Sequence, residues 1–314
     1  MSNVPLPLDR WGAPARTKPQ PSSRSGLRRT LRNYISLVDL RSVSLLVFTA
    51  LAAGLIAGGV HAPARLLGIG LALTLSCMGA RAVANYIDRD IDALMERTRR
   101  RPLPSGAIAP RNALALGFAL IAAGLAVALT FGLGIVLLIV LGLADNLVVY
   151  ALLTKRTSPL SIVLGAPCGG APAFIGYVAV AGRVDLMAVV LAAFVMFWTP
   201  IHIWSLAIHA RDDYARASIP MLPVAVGVAR SAQYVGLASL ALGALTVLFI
   251  VEGGAGLLLP VAALLLALAG GLIAGSLWLV RSPTREHAWT LFKFTSPYLG
   301  LLFALLALNA VFVG

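Results

Sequence analysis

The sequence predicts an all-α, polytopic membrane protein with about nine transmembrane helices. Three observations carry this. Of 314 residues, 59% are hydrophobic and only 12% are charged, against the roughly 25% charge of a soluble domain. The apolar residues gather into segments near the ~20 residues that cross a bilayer as a helix. Strand-like alternation is absent, which argues against an outer-membrane barrel.

In chain order, residues 1–33 hold Pro, Ser and Arg and no apolar core of a signal peptide. They are expected to be a disordered, basic cytoplasmic tail. Their Arg-rich, acid-poor composition also suits a mitochondrial presequence, but the prolines oppose the amphipathic helix such a leader needs. Residues 34–314 form the membrane domain. Its spans are read at 42–60, 66–87, 112–131, 133–153, 160–181, 186–208, 231–251, 256–280 and 294–313, with a tight turn at "FGLG" separating the third from the fourth. Cys77 and Cys168 fall inside spans without a CxxC pattern, and read as small buried residues.

The net charge of +13 could suggest nucleic acid, but its distribution does not. With the N-terminus in the cytoplasm, 22 of the 25 Lys and Arg lie on the tail and the inner loops. Only Arg65 and Arg183 lie outside, and Arg81 lies within a span. This is the positive-inside bias. It predicts an odd number of spans, a cytoplasmic N-terminus, a lipid-bilayer environment and no nucleic-acid partner.

The two longest polar connections after the tail, 88–111 and 209–230, both fall inside and share half of the twelve acidic residues. They follow spans 2 and 6. Such loose duplication would set the two loops opposite each other across a bundle. If the helix of span 2 continues to Asp92, then Asn85, Asp88 and Asp92 share one face, while Asp90 points elsewhere. Two carboxylates one turn apart can hold Mg²⁺, which completes its shell with water and phosphate oxygens. Arg97 and Arg101 follow directly, and metal plus guanidinium groups suit a diphosphate. The alternative is a solvated helix end with local ion pairs. Asp212 and Asp213, followed by Arg216, repeat the pattern in the second loop. Arg81, an ionisable residue within a span, is either functional or snorkels to the interface. His202, in span 6, either bonds within the bundle or faces substrate; its spacing to His209 favours the face leading to Asp212 and Asp213. Walker, HExxH, GxSxG and dinucleotide-binding motifs are absent, so nothing supports nucleotide hydrolysis, zinc proteolysis or serine hydrolysis.

"NYIDRDIDALMERTRRRPLPSG" resembles the first acidic motif of the UbiA-type intramembrane prenyltransferases. "DDYARASIPMLP" with the preceding "HIW" resembles the second motif of their heme O synthase (protoheme IX farnesyltransferase) branch. "RSVSLLVFTA", "KRTSPLSIVLGA" and "LFKFTSPYL" are similar to that branch as well. The resemblance implies a single bundle around a central cavity that opens sideways to lipid. It implies Mg²⁺-dependent transfer of a farnesyl group from farnesyl diphosphate to a vinyl group of heme B, giving heme O for heme-copper oxidases. A bacterial plasma membrane is the implied location, with a heme A synthase or an oxidase-assembly protein as a further partner. It assigns Asp88, Asp92, Asp212 and Asp213 as the catalytic and metal-binding carboxylates. Around them it expects a substrate-binding set of Asn85, Arg81, Arg97, Arg101, Lys155, Arg156, His202, Tyr214 and Arg216.

The sequence also departs from the family pattern. Ala84 stands where Asn is usual, with Asn85 one residue late. Asp39-Leu40-Arg41 replaces a basic motif, and Asp145 is unusual in span 4. These departures keep a prenyltransferase with an aromatic or quinone-precursor acceptor as the alternative. A transporter with a charged mouth and an inactive assembly scaffold are readings of other classes.

Overall fold

Mean hydropathy is strongly positive, and burying such a chain in lipid obliges every backbone amide to bond within its own segment. The computed structural model describes residues 23–253 and 256–313, and among them all regular structure is helical. Helix α1 (Ser23–Val38) is followed by α2 (Leu40–Ile56), α3 (Pro63–Ile87) and the short α4 (Arg89–Leu94). Next come α5 (Pro110–Ala128) and α6 (Leu133–Ala144), the latter running on as a π-helix over Asp145–Thr154. Then follow α7 (Ser161–Leu164), α8 (Ala166–Ala181), α9 (Leu186–His209), α10 (Arg211–Arg216) and α11 (Leu222–Ala225). Helices α12 (Val228–Gly253), α13 (Leu259–Arg281) and α14 (Arg285–Val313) complete the chain.

Eight helical segments are long and apolar enough to cross a membrane, and the bent pair α1–α2 makes a ninth. The expected spans thus recur, with two differences. Span 9 begins at Arg285 instead of 294, because Glu286 and Lys293 extend the helix beyond the apolar layer. The tail expected to lack structure through residue 33 is helical from Ser23; the remainder of the tail lies outside the described residues.

Local chemistry sets the ends. Pro63 and Pro110 open α3 and α5, where a missing N–H costs nothing. Asp185 caps α9 by accepting from the amide of Ala188. The turn at Gly132 has φ +97°, a conformation that suits glycine. Packing relies on small residues, as expected where lipid removes the hydrophobic drive between helices. Gly176 of α8 lies against the carbonyl of Ala50 on α2, with no room for a Cβ. Gly79 of α3 meets Gly117 of α5 in the same way.

Two adjoining apolar pockets of about 250 and 100 Å³, each partly open to the outside of the bundle, share Gly142, Ala171 and Ile175. They lie between α6 and α8, reaching α9 on one side and α2 and α3 on the other.

Candidate functional site

Helix α3 ends at Ile87, and Asp88 keeps near-helical angles before α4 resumes. The amide of Asp92 still donates to the carbonyl of Asp88 at 2.8 Å. The helical path is therefore nearly unbroken, and the expected face forms. Asn85, Asp88 and Asp92 are all buried, at 5–8% exposure, while the Asp90 carboxylate is 60% exposed.

Each buried carboxylate has a cation. Lys155 Nζ donates to Asp88 Oδ2. Arg101 Nη1 donates to Asp92 Oδ2 at 2.9 Å and to Asn85 Oδ1 at 3.3 Å. Asn85 Nδ2 donates to the carbonyl of Leu37 at 2.7 Å. Both ends of the Asn85 amide are engaged, so Asn85 positions Arg101 and the end of α1 and does not present a free oxygen.

The second acidic loop meets the first. Asp213 accepts from the amide of Glu96 at 3.2 Å with one oxygen and from that of Arg97 at 3.3 Å with the other. Arg216 pairs with Asp213 and lies 3.8 Å from Glu96. Tyr214 is buried beside Arg97, Lys155 and Arg101; burial, the largest influence, pushes its hydroxyl above the usual range.

Several expected residues lie elsewhere than their spacing suggests. Asp212 points outward: its carboxylate is 53% exposed and accepts from Arg285 at 2.5 Å, which holds its pKa down. On the short helix α10, adjacent residues diverge by about 100°, so Asp213 turns in and Asp212 out. Arg156 does not join the buried pair. It grips Asp90 with both nitrogens at 2.7 Å and the carbonyl of Ile87 at 2.9 Å. That fork holds the Asp90 carboxyl at about 2. His202 lines neither cavity. Its ring lies between Trp198 and Phe292, at 4.5 and 4.4 Å between centroids, and its Nδ1 is 2.6 Å from Thr295 Oγ1. The Thr295 hydroxyl donates to the carbonyl of Phe292, so His202 Nδ1–H is the donor. Among the expected residues, only Arg81 lines either of these two cavities.

Two residues were missed by sequence reasoning. Asp39 accepts from Arg81 Nη2 at 2.7 Å and supplies the counter-charge within α3's surroundings. Tyr150 lies under Lys155, whose Nζ is 5.6 Å from the ring centroid. The π-helix brings i and i+5 together, through the Lys155 amide bonded to the Tyr150 carbonyl.

No three His, Cys, Asp or Glu side chains converge on a metal position among the described residues. Mg²⁺ uses one or two protein carboxylates and takes its other oxygens elsewhere, so its fit is tested on the carboxylates singly. The fit is carried by Asp88 Oδ1, which is buried and has no hydrogen-bond partner among the described residues. A buried, anionic, unpartnered oxygen is the donor a hard cation needs.

Comparison with known proteins bears on this arrangement. Residues 45–308 match the sequence pattern described as the UbiA prenyltransferase family. The chain is 43% identical over 285 residues to the protoheme IX farnesyltransferase of Desulforudis audaxviator, covering 89% of each chain. It is 40% identical over 292 residues to that of Azotobacter vinelandii, covering 90% of this chain and 95% of the relative. Among solved structures, one concerning digeranylgeranylglyceryl phosphate synthase is similar with a TM-score of 0.73, at 17% identity over 90% of this chain and 99% of that one. A UbiA homolog from Archaeoglobus fulgidus bound to GPP and Mg²⁺ is similar with a TM-score of 0.57, at 17% identity over 87% and 99%. At these identities the structural likeness shows the fold alone.

Proposed function

The chain belongs to the UbiA prenyltransferase family, and from that premise we propose that it moves a farnesyl group from farnesyl diphosphate to a vinyl group of protoheme IX, with water adding to the resulting cation as the new hydroxyl, so that diphosphate is released and heme O is formed. The relatives' shared name supports the acceptor and the chain length. The observation that carries the chemistry is the buried Asp88–Asp92 face, closed by Asp213 from the other loop and ringed by Lys155, Arg101 and Arg97.

Asp88 and Asp92 would hold Mg²⁺, with Asp88 Oδ1 as the available ligand. When bound, Mg²⁺ supplies charge neutralisation of diphosphate oxygens. Lys155 and Arg101 balance the two carboxylates and stand ready to donate to the same oxygens as negative charge builds on the leaving group. The Arg97 guanidinium has no ion-pair partner among the described residues, so it can turn to the diphosphate without breaking a bond. Tyr214 packs the floor beneath these cations. The cavities between α6 and α8 supply an apolar chamber for the prenyl chain, and their walls limit capture of an allylic cation by bulk water. No nucleophilic side chain is required, because the electron-rich vinyl carbon attacks. A bacterial plasma membrane with both acidic loops in the cytoplasm fits the basic bias.

The test is to incubate the purified protein with protoheme IX, farnesyl diphosphate and Mg²⁺ and look for the mass of the hydrated, farnesylated product. Diphosphate release dependent on some other acceptor, with none on protoheme IX, would overturn the acceptor assignment.

A further inference from the structure

Helix α1 carries an apolar stripe that no described part of the protein covers. Leu27, Leu31 and Ile35 are 72%, 59% and 46% exposed. At 100° per residue they fall within about 80° of one another. Arg28 and Arg32 occupy the adjoining flank, Arg29 lies further round the helix, and all three are exposed. The flank on the other side of the stripe is anchored: Leu37 is fully buried and, with Tyr34, packs against Ala82, Leu103 and Ile108.

We propose that α1 is an interfacial helix whose stripe lies in the cytoplasmic leaflet and whose arginines bind anionic phospholipid, so that the lipid charge of that leaflet sets the position of α1 against the acidic site. The occupant follows from three features. The helix meets α2 at a 49° bend, at Asp39, which adopts a left-handed φ of +48° and is tied to Arg81. A helix hinged to the end of a span is held at the level of the headgroups. Next, a leucine stripe beside arginines suits an acyl-headgroup boundary with phosphate anions above it. Finally, the basic bias places this end of the chain in the cytoplasm, where anionic lipid attracts basic helices.

The coupling to the site is a chain of hydrogen bonds. The Leu37 carbonyl at the end of α1 accepts from Asn85, Asn85 accepts from Arg101, and Arg101 donates to Asp92. Lifting α1 from the interface pulls on Leu37 and loosens the hold of Arg101 on Asp92.

The experiment uses the full chain with Leu31→Cys carrying bimane, corrected for labelling of the chain without that substitution. It is reconstituted in nanodiscs of phosphatidylcholine, alone or with about a third phosphatidylglycerol. Quenching by lipids nitroxide-labelled near the headgroup reports depth. Quenching should rise severalfold with phosphatidylglycerol and fall back in the combined Arg28→Gln, Arg29→Gln and Arg32→Gln variant. If that variant does not insert, salt near 1 M, where the Debye length is about 3 Å, should give the same loss in the unaltered background. In parallel, KM for farnesyl diphosphate should be about threefold higher in phosphatidylcholine alone, at similar kcat. Quenching that ignores lipid charge overturns the proposal, as does a label that stays shielded from lipid in every membrane because another protein covers it. Lipid-dependent depth with unchanged KM overturns the coupling. Depth is read without turnover, so a failed transferase assay would count against the proposed reaction and not against the lipid contact.

Discussion

At the scale of single residues, the two adjacent aspartates of the second loop make opposite predictions. Asp213 is bonded to two amides of the first loop, and Asp212 reaches only the exposed Arg285. Asp213→Asn should lower kcat/KM by roughly 10²-fold, because the amide cannot accept from both loop N–H groups and the charged hydrogen bonds that close the two loops together are lost. Asp212→Asn should stay within about fivefold, as an exposed ion pair contributes little. Steady-state kinetics of both variants checks this; equal losses would mean that Asp212 turns inward during turnover. Asp90 gives a pH prediction. Its folded pKa of about 2 lies below the 3.8 of an ordinary aspartate, because Arg156 donates to it. The stability from its pairing is therefore fully present above about pH 4 and lost as pH falls through about 2. The difference in thermal inactivation between wild type and Asp90→Asn should stay constant from pH 5 to 8 and shrink only below about pH 4. The inward face of Asp88 and Asp92 was legible because helical periodicity governs it. The partners of Arg81 and Arg156 were not, since those contacts join residues 42 and 66 positions apart.

At the scale of elements, the α9–α14 seam is a column of stacked rings. Trp198, His202, Phe292, Trp289 and His209 follow one another with centroids 4.4–5.1 Å apart. Trp198 Nε1 adds a bond to the Thr295 carbonyl at 2.7 Å. This changes what His202 is expected to do. From spacing, it belongs on the face that leads toward Asp212 and Asp213; in the structure that face of α9 is the one that meets α14. Periodicity finds which residues share a side, but it cannot say which neighbour lies there. His202→Ala should cost about 2–4 kcal/mol of stability by opening a cavity among packed rings. Apparent affinity for both substrates should weaken to the same extent at the growth temperature. Thermal unfolding followed by tryptophan fluorescence, with separate titrations of protoheme IX and farnesyl diphosphate, checks both points. Selective loss of protoheme IX would restore His202 to the acceptor site.

At the scale of the whole molecule, the number and order of the spans were readable because a bilayer admits few solutions for an apolar chain. The cytoplasmic placement of both acidic loops remains a prediction. Single cysteines replacing Ser105 and Ser218, both exposed, should react with a membrane-impermeant maleimide only from the cytoplasmic side. Reaction of the two from opposite sides would be incompatible with the Asp213 contacts that join the loops. The π-helical stretch has a consequence on another level. An i to i+5 bonding pattern packs about one more residue into a turn than an α-helix does, so the residue count of this stretch sets the direction in which Lys155 leaves it. Removing a codon between Asp145 and Thr154 would leave the hydropathy profile and the span count as they are. It would swing Lys155 by about 100° away from Asp88. Two genes that look identical by hydropathy would then differ in whether the first carboxylate keeps its counter-ion, and chain length in that one segment would tell them apart.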